Sequence, residues 1–105
     1  MTAPSAPLQR EWIAVSPQGE EHPFLIQVTL PVEQATGEWT SQVTLGNIKH
    51  GSDAIHGMDS WQAVELAMHH AAVRVRHLKS LGWQFFWPDA DRESAQPADL
   101  FRGVE

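Results

Sequence analysis

Between Asp59 and Gly82 the chain holds one long stretch whose apolar residues fall at helical spacing, and no other stretch of that length does. Val64, Ala67, Met68, Ala71, Val75 and Leu78 form a single stripe, the pattern of a helix that buries one side only. The spacing predicts a helix from Ser60 to Leu81. Asp59 is placed to cap it, because its carboxylate accepts free N–H groups of the first turn, and Gln62 falls at the capping-box position. Arg74, Arg76 and Lys79 crowd the carboxyl half, where the helix dipole favours cations. Gly82 suits the left-handed position after the last turn, and Trp83 can then fold back on Leu78 in a Schellman motif.

Such a stripe needs an apolar surface to lie on, and the rest of the chain offers strands. "LQREWIAV" is rich in β-branched and aromatic residues, and "SPQGE" breaks it, with Pro17 and Gly19 at turn positions. "HPFLIQVTLP" alternates, with Phe24, Ile26, Val28 and Leu30 on one face, and stops at Pro31. "VEQATGE" reads as a loop. "WTSQVTL" alternates again, with Trp39, Val43 and Leu45 on one side, and Gly46-Asn47 is a turn signal. "IKHGSDAIHG" reads as a short, irregular fourth strand broken at Gly51. The expectation is an α+β domain: an antiparallel sheet of about four or five strands with one long helix packed on one face.

Residues 1–7 read as a disordered leader, residues 8–88 as the single domain and residues 89–105 as an acidic C-terminal tail. The chain of 105 residues has 13 acids against 7 bases, a net charge of −6 and no cysteine. Disulfides, thiolate metal sites and a cysteine nucleophile are excluded. The first eleven residues lack the basic and apolar regions of a signal peptide, and no apolar run approaches the ~20 residues that span a bilayer. The expected compartment is the cytoplasm. An acidic surface repels phosphate backbones and attracts basic partners, so nucleic acid and membrane are not expected as partners.

Reactive residue types are densest in "HGSDAIHGMD", where His50, Asp53, His56 and Asp59 recur every three residues. Imidazole and carboxylate are ligands for zinc, iron or manganese, and a small metal-dependent hydrolase using His50, Asp53 and His56 is the alternative function. Against it, Gly51, Ser52, Asp53 and Gly57 are turn formers and Asp59 is engaged as a cap. On the helix, His70 and His77 have Arg74 between them, and Glu65 and His69 form an i,i+4 pair of ordinary surface type. Ser60 lies near His56 but outside any nucleophile-elbow pattern. These patterns specify no catalytic residue, cofactor or metal site.

The stretch "GWQFFWP" carries four of the chain's nine aromatic residues. In an extended strand Trp83, Phe85 and Trp87 point one way and Gln84 and Phe86 the other. One face packs under the helix; the opposite face stays open unless the tail, through Leu100 and Phe101, covers it. Aromatic anchors beside the acids of "DADRE" suit a protein-binding surface. The expected partner-binding residues are Phe86 and Trp87 as anchors, with Asp89, Asp91 and Glu93 as the charged rim.

The stretch "GMDSWQAVELAM", followed by a helix that ends before "LGWQFFWP", resembles a small bacterial family of uncharacterised domains. Its members have a Gly-x-Asp-Ser-x-Gln-Ala-hydrophobic helix start after several strands, then a Gly-aromatic segment. Here those positions are Gly57, Asp59, Ser60, Gln62, Ala63 and Val64, and the resemblance covers residues 10–88. Small acidic domains of this type are often encoded beside secreted bacterial toxins. The resemblance therefore implies a cytoplasmic immunity protein that neutralises a basic toxin by docking on it, as a monomer or homodimer; a homodimeric scaffold is the third reading.

Overall fold

The computed structural model describes residues 7–105. Apart from Pro7, the expected leader lies outside the described residues. The domain is α+β, with six strands and one long helix: β1 (Leu8–Val15), β2 (Glu21–Val28), β3 (Val32–Glu33), β4 (Trp39–Gly46), β5 (Ser52–Gly57), α1 (Ser60–Ser80) and β6 (Gln84–Phe86). A 3-10 turn, Pro97–Asp99, follows. All strand pairs are antiparallel. β4 takes β5 on one edge and β2, then β3, on the other; β1 follows β2, and β6 is added beside β1. The sheet thus has more strands than expected, because "VEQATGE" is not all loop. Pro31 interrupts the ladder, Thr29 N–H still reaches the Gln42 carbonyl, and Val32 and Glu33 pair with Thr40 and Trp39 before the turn at Gln34–Glu38.

The local chemistry is what the residues require. Gly19 N–H bonds the Ser16 carbonyl at 2.8 Å across Pro17-Gln18, closing the β1–β2 turn. Asp59 Oδ1 accepts from Gln62 N–H at 2.7 Å, while Gln62 Oε1 accepts from Met58 N–H at 2.7 Å, one residue beyond the usual capping-box donor. At the other end, Trp83 N–H bonds the Leu78 carbonyl and Gly82 N–H the Lys79 carbonyl, with Gly82 at φ +103°; this is the Schellman pattern.

The core lies on one face of the sheet. Trp12, Phe24, Ile26, Val28, Val43, Leu45 and Phe85 are buried there beneath α1. The helix turns its smallest residues to the sheet: Ala63, Ala67 and Ala71 are buried, whereas Val64 and Met68 of the expected stripe lie half-buried on its flank. Close approach explains this. A Cβ added at Gly57 would meet the Ala63 Cα at 2.7 Å and the Gln62 carbonyl carbon at 2.9 Å, so the start of α1 rests directly on β5.

The expected tail from residue 89 is instead part of the domain. Trp87 N–H bonds the Glu93 carbonyl and Ala95 N–H the Phe85 carbonyl, so the returning chain pairs with the outer edge of β6. Ala95, Pro97 and Val104 are buried. Residues 95–101 run along one flank of α1, from Lys79, which bonds Gln96, to His69, whose ring stands edge-on to Phe101 at 5.2 Å. His69 therefore turns to Phe101 rather than to Glu65.

Candidate functional site

The aromatic strand divides as its alternation requires. Phe85 is 1% exposed and sits between Phe24 and Trp12, with ring centroids at 5.2 and 6.1 Å. Phe86 is on the opposite, helix-free face, half-buried, with Ile13 as its cross-strand neighbour. Leu100 and Phe101 do not cover it, because they lie on the helix side of the sheet. Trp87 turns back to the helix side. It meets Trp12 edge-on at 5.7 Å and carries the Arg10 guanidinium 4.9 Å above its ring. Phe86 and Trp87 therefore do not share a surface. Of the expected rim, Asp89 caps its own turn by accepting from Arg92 N–H at 2.9 Å, and Asp91 and Glu93 are exposed. Arg92 pairs with Glu21 and offsets part of the local negative charge.

The segment Ser52–Gly57 is likewise split by its own pleat. Asp53 points to the helix side and His56 to the open face, where its ring lies 3.1 Å from Thr40 Oγ1 and 3.5 Å from Glu38. His50 is exposed in the preceding turn. The three do not converge, and no group of three His, Asp or Glu suited to a metal occurs among the described residues. Asp53 has a different duty: it accepts from Lys49 Nζ at 2.6 and 2.7 Å and lies 2.8 Å from His70 Nε2. The hydrogen bond from Lys49, and after it that of His70, holds the Asp53 carboxyl down to about 2. The cluster pins the edge strand β5 to the middle of α1.

A third region is the most open. The C-terminal segment covers the flank of α1 only as far as His69 and leaves the first two turns bare. There a groove of about 490 Å³ is lined by Pro31, Trp61, Val64, Glu65, Met68 and Phe101. Trp61 is 80% exposed and Met58 is 82% exposed. Neither side chain has a structural duty that accounts for it. A residue in the place of Met58 ordinarily packs on the fourth residue of the helix, but that residue is Ala63, which faces the sheet. Leu30 and Val32, on either side of Pro31, are exposed as well. Beside this groove lies a second of about 250 Å³, floored by the Leu8–Val28 and Arg10–Ile26 rungs of β1 and β2 and bounded by Met68 and Leu100.

Sequence reasoning missed Trp61. It stands three residues before Val64 and seven before Met68, so it falls in line with the stripe and reads as core. The exposure of Trp61, and the contact of Phe101 with His69 rather than with the first turn, show that this end of the line is open. Compared with family models, curated proteins and solved structures, the chain matches none of them, and the site rests on its geometry. No helix among the described residues is long and apolar enough to cross a membrane.

Proposed function

We propose that the protein is a protein-binding module that docks through the apolar surface around Trp61. The observation that carries this is a tryptophan and a methionine, each about four-fifths exposed, beside an open apolar groove. Surface aromatic and methionine side chains of this kind are the usual anchors of protein interfaces. The chain's charge of −6 favours a basic partner. Glu65 lines the groove, and Glu33 lies on the same sheet rung as Trp39 and Gly57, at the end where α1 begins. In its more specific form the reading is a cytoplasmic immunity protein that holds a basic toxin. The acids then steer the encounter, and the anchors set the residence time.

The test is affinity purification from a bacterial host, followed by titration of the captured protein against two variants. A 1:1 basic partner should bind Trp61→Ala about thirtyfold more weakly, the 2 kcal/mol of an interface hot spot, with folding unchanged. A partner sensitive to Phe86→Ala but not to Trp61→Ala would move the interface to the open sheet face. A chain that sediments as a stable dimer and captures no other protein would favour the homodimeric scaffold.

A further inference from the structure

The two grooves lie side by side, with Met68 lining both. Among the described residues each is lined by one charged side chain, and the two are of opposite sign. The larger has Glu65, and the smaller has Arg10. Neither residue has an ion-pair partner among the described residues. Arg10 lays one face of its guanidinium over Trp87 and spends one N–H on the Asp99 carbonyl at 3.1 Å, and a guanidinium has five N–H donors. Two adjacent open grooves, one with an acid and the other with a base that lack ion-pair partners, present opposite charges on either side of Met68, although their walls are apolar.

From this charge pattern we infer that the two grooves together take a polypeptide segment of the partner by two apolar side chains, one on either side of Met68. The segment is oriented by a basic residue at the Glu65 end and an acidic residue at the Arg10 end. This rests on the docking reading and adds the kind of segment and its direction. An acyl chain fits less well. Trp61 and Leu8, in the two walls, are 80% and 47% exposed, so a lipid tail would remain wet along one side, whereas a polypeptide brings its own cover.

The experiment is selection of a displayed library of short random peptides against the full chain, followed by titration of one selected peptide as a synthetic probe. The expected peptides carry two large apolar residues, with Lys or Arg on one side and Asp or Glu on the other. Trp61→Ala and Leu8→Ala should each weaken the probe about tenfold or more. Both sites are exposed, so the variants should fold, and their melting temperatures check that. Glu65→Lys should weaken it similarly and should be rescued by the probe with its basic residue changed to Glu. A probe that needs Trp61 but is indifferent to Leu8 or to Glu65→Lys overturns the two-seat, oriented inference and leaves the docking reading standing. Selected peptides indifferent to Trp61 overturn both. Saturable 1:1 binding of oleate that displaces the probe assigns the grooves to lipid and overturns the inference.

Discussion

Two tryptophan-bearing segments of this chain have opposite fates. "GWQFFWP" is dense with aromatics, yet three of its four rings pack on the core and only Phe86 faces the open side of the sheet: Phe85 is buried, and Trp87 lies under Arg10 against Trp12. "GMDSWQA" has one aromatic ring, and it stands in solvent. The difference lies in what covers each. β6 is flanked by β1 on one edge and by the returning residues 93–95 on the other, with Ala95 and Leu100 packed into the same core as Phe85. The first turns of α1 have the sheet beneath them, and on their flank the described residues leave an open groove edged by Pro31 and Phe101. Aromatic density therefore marks where a small domain finds its core volume, and the uncovered flank marks where it has apolar surface to spare for a partner.

The sharpest way to break that comparison is to truncate one ring of each segment. Phe85→Ala should cost about 3–5 kcal/mol, the loss for a fully buried aromatic. Trp61→Ala should change stability by no more than about 0.5 kcal/mol, as surface substitutions do. Chemical denaturation of both variants gives the numbers. A Trp61→Ala loss comparable to that of Phe85→Ala would mean that Trp61 is packed and that the groove is closed in solution.

Next in size is the contact that sets the helix on the sheet. Gly57→Ala puts a methyl group into the backbone of Ala63, and neither β5 nor the helix start has a flexible atom to yield. Overpacking of this kind costs about 1–3 kcal/mol. The strain falls at the base of the Trp61 surface and leaves β6 untouched, so partner binding should suffer while the environment of Phe85 does not change. Thermal melts and near-ultraviolet dichroism separate the two.

Much of this architecture was legible. Strict alternation in β2 and β4 separates core from surface, since each residue has only two directions to take. Asp59 and Gly82 mark the helix ends through bonds that depend on one or two residues. What was not legible depends on distance rather than period. Of the expected stripe Ala67, Ala71 and Val75 are buried, whereas Val64 and Met68 stand half-buried on its flank, because the alanines let the helix come close and larger side chains must stand aside. The segment from Ala95 to Val104 packs without a repeat, so its buried Ala95, Pro97 and Val104 leave no pattern to read. Its contact with α1 through Phe101 and His69, beyond which Trp61 stands exposed, follows no repeat either, and so the candidate site was hidden for the same reason. The opposite faces of Phe86 and Trp87, and of Asp53 and His56, follow directly from the pleat.

The Asp53 cluster offers a contrast of a different sort, a charged pin at the far side of α1 from the open flank. The folded-state carboxyl is depressed to about 2 from an ordinary 3.8. Its stabilisation is therefore complete above about pH 4 and is lost as pH falls through about 2. Allowing for partial exposure, the contribution is about 1–2 kcal/mol. Asp53→Asn should lower stability at neutral pH by that amount and should flatten the acid limb of the stability profile between pH 4 and 2. An unchanged acid limb would show that Lys49 and His70 do not hold Asp53 in solution. Binding through Trp61 should be indifferent to this change.

The smallest effect bears most directly on the exposed segment. Asp59 accepts from Gln62 N–H and so holds the first turn of α1, where Trp61 stands two residues on. Asp59→Ala should cost about 1 kcal/mol, the ordinary value of a lost cap. The released turn frays, and partner binding weakens because its anchor is no longer held in place. Asp59→Asn keeps an oxygen that can cap but removes the charge. If binding survives in Asp59→Asn and falls in Asp59→Ala, the residue acts by positioning Trp61. If both fall alike, and the loss disappears at high salt, the carboxylate steers a basic partner instead. The two variants thus separate the contribution of a rigid anchor from that of a charged rim, the two properties expected of "GWQFFWP" with "DADRE".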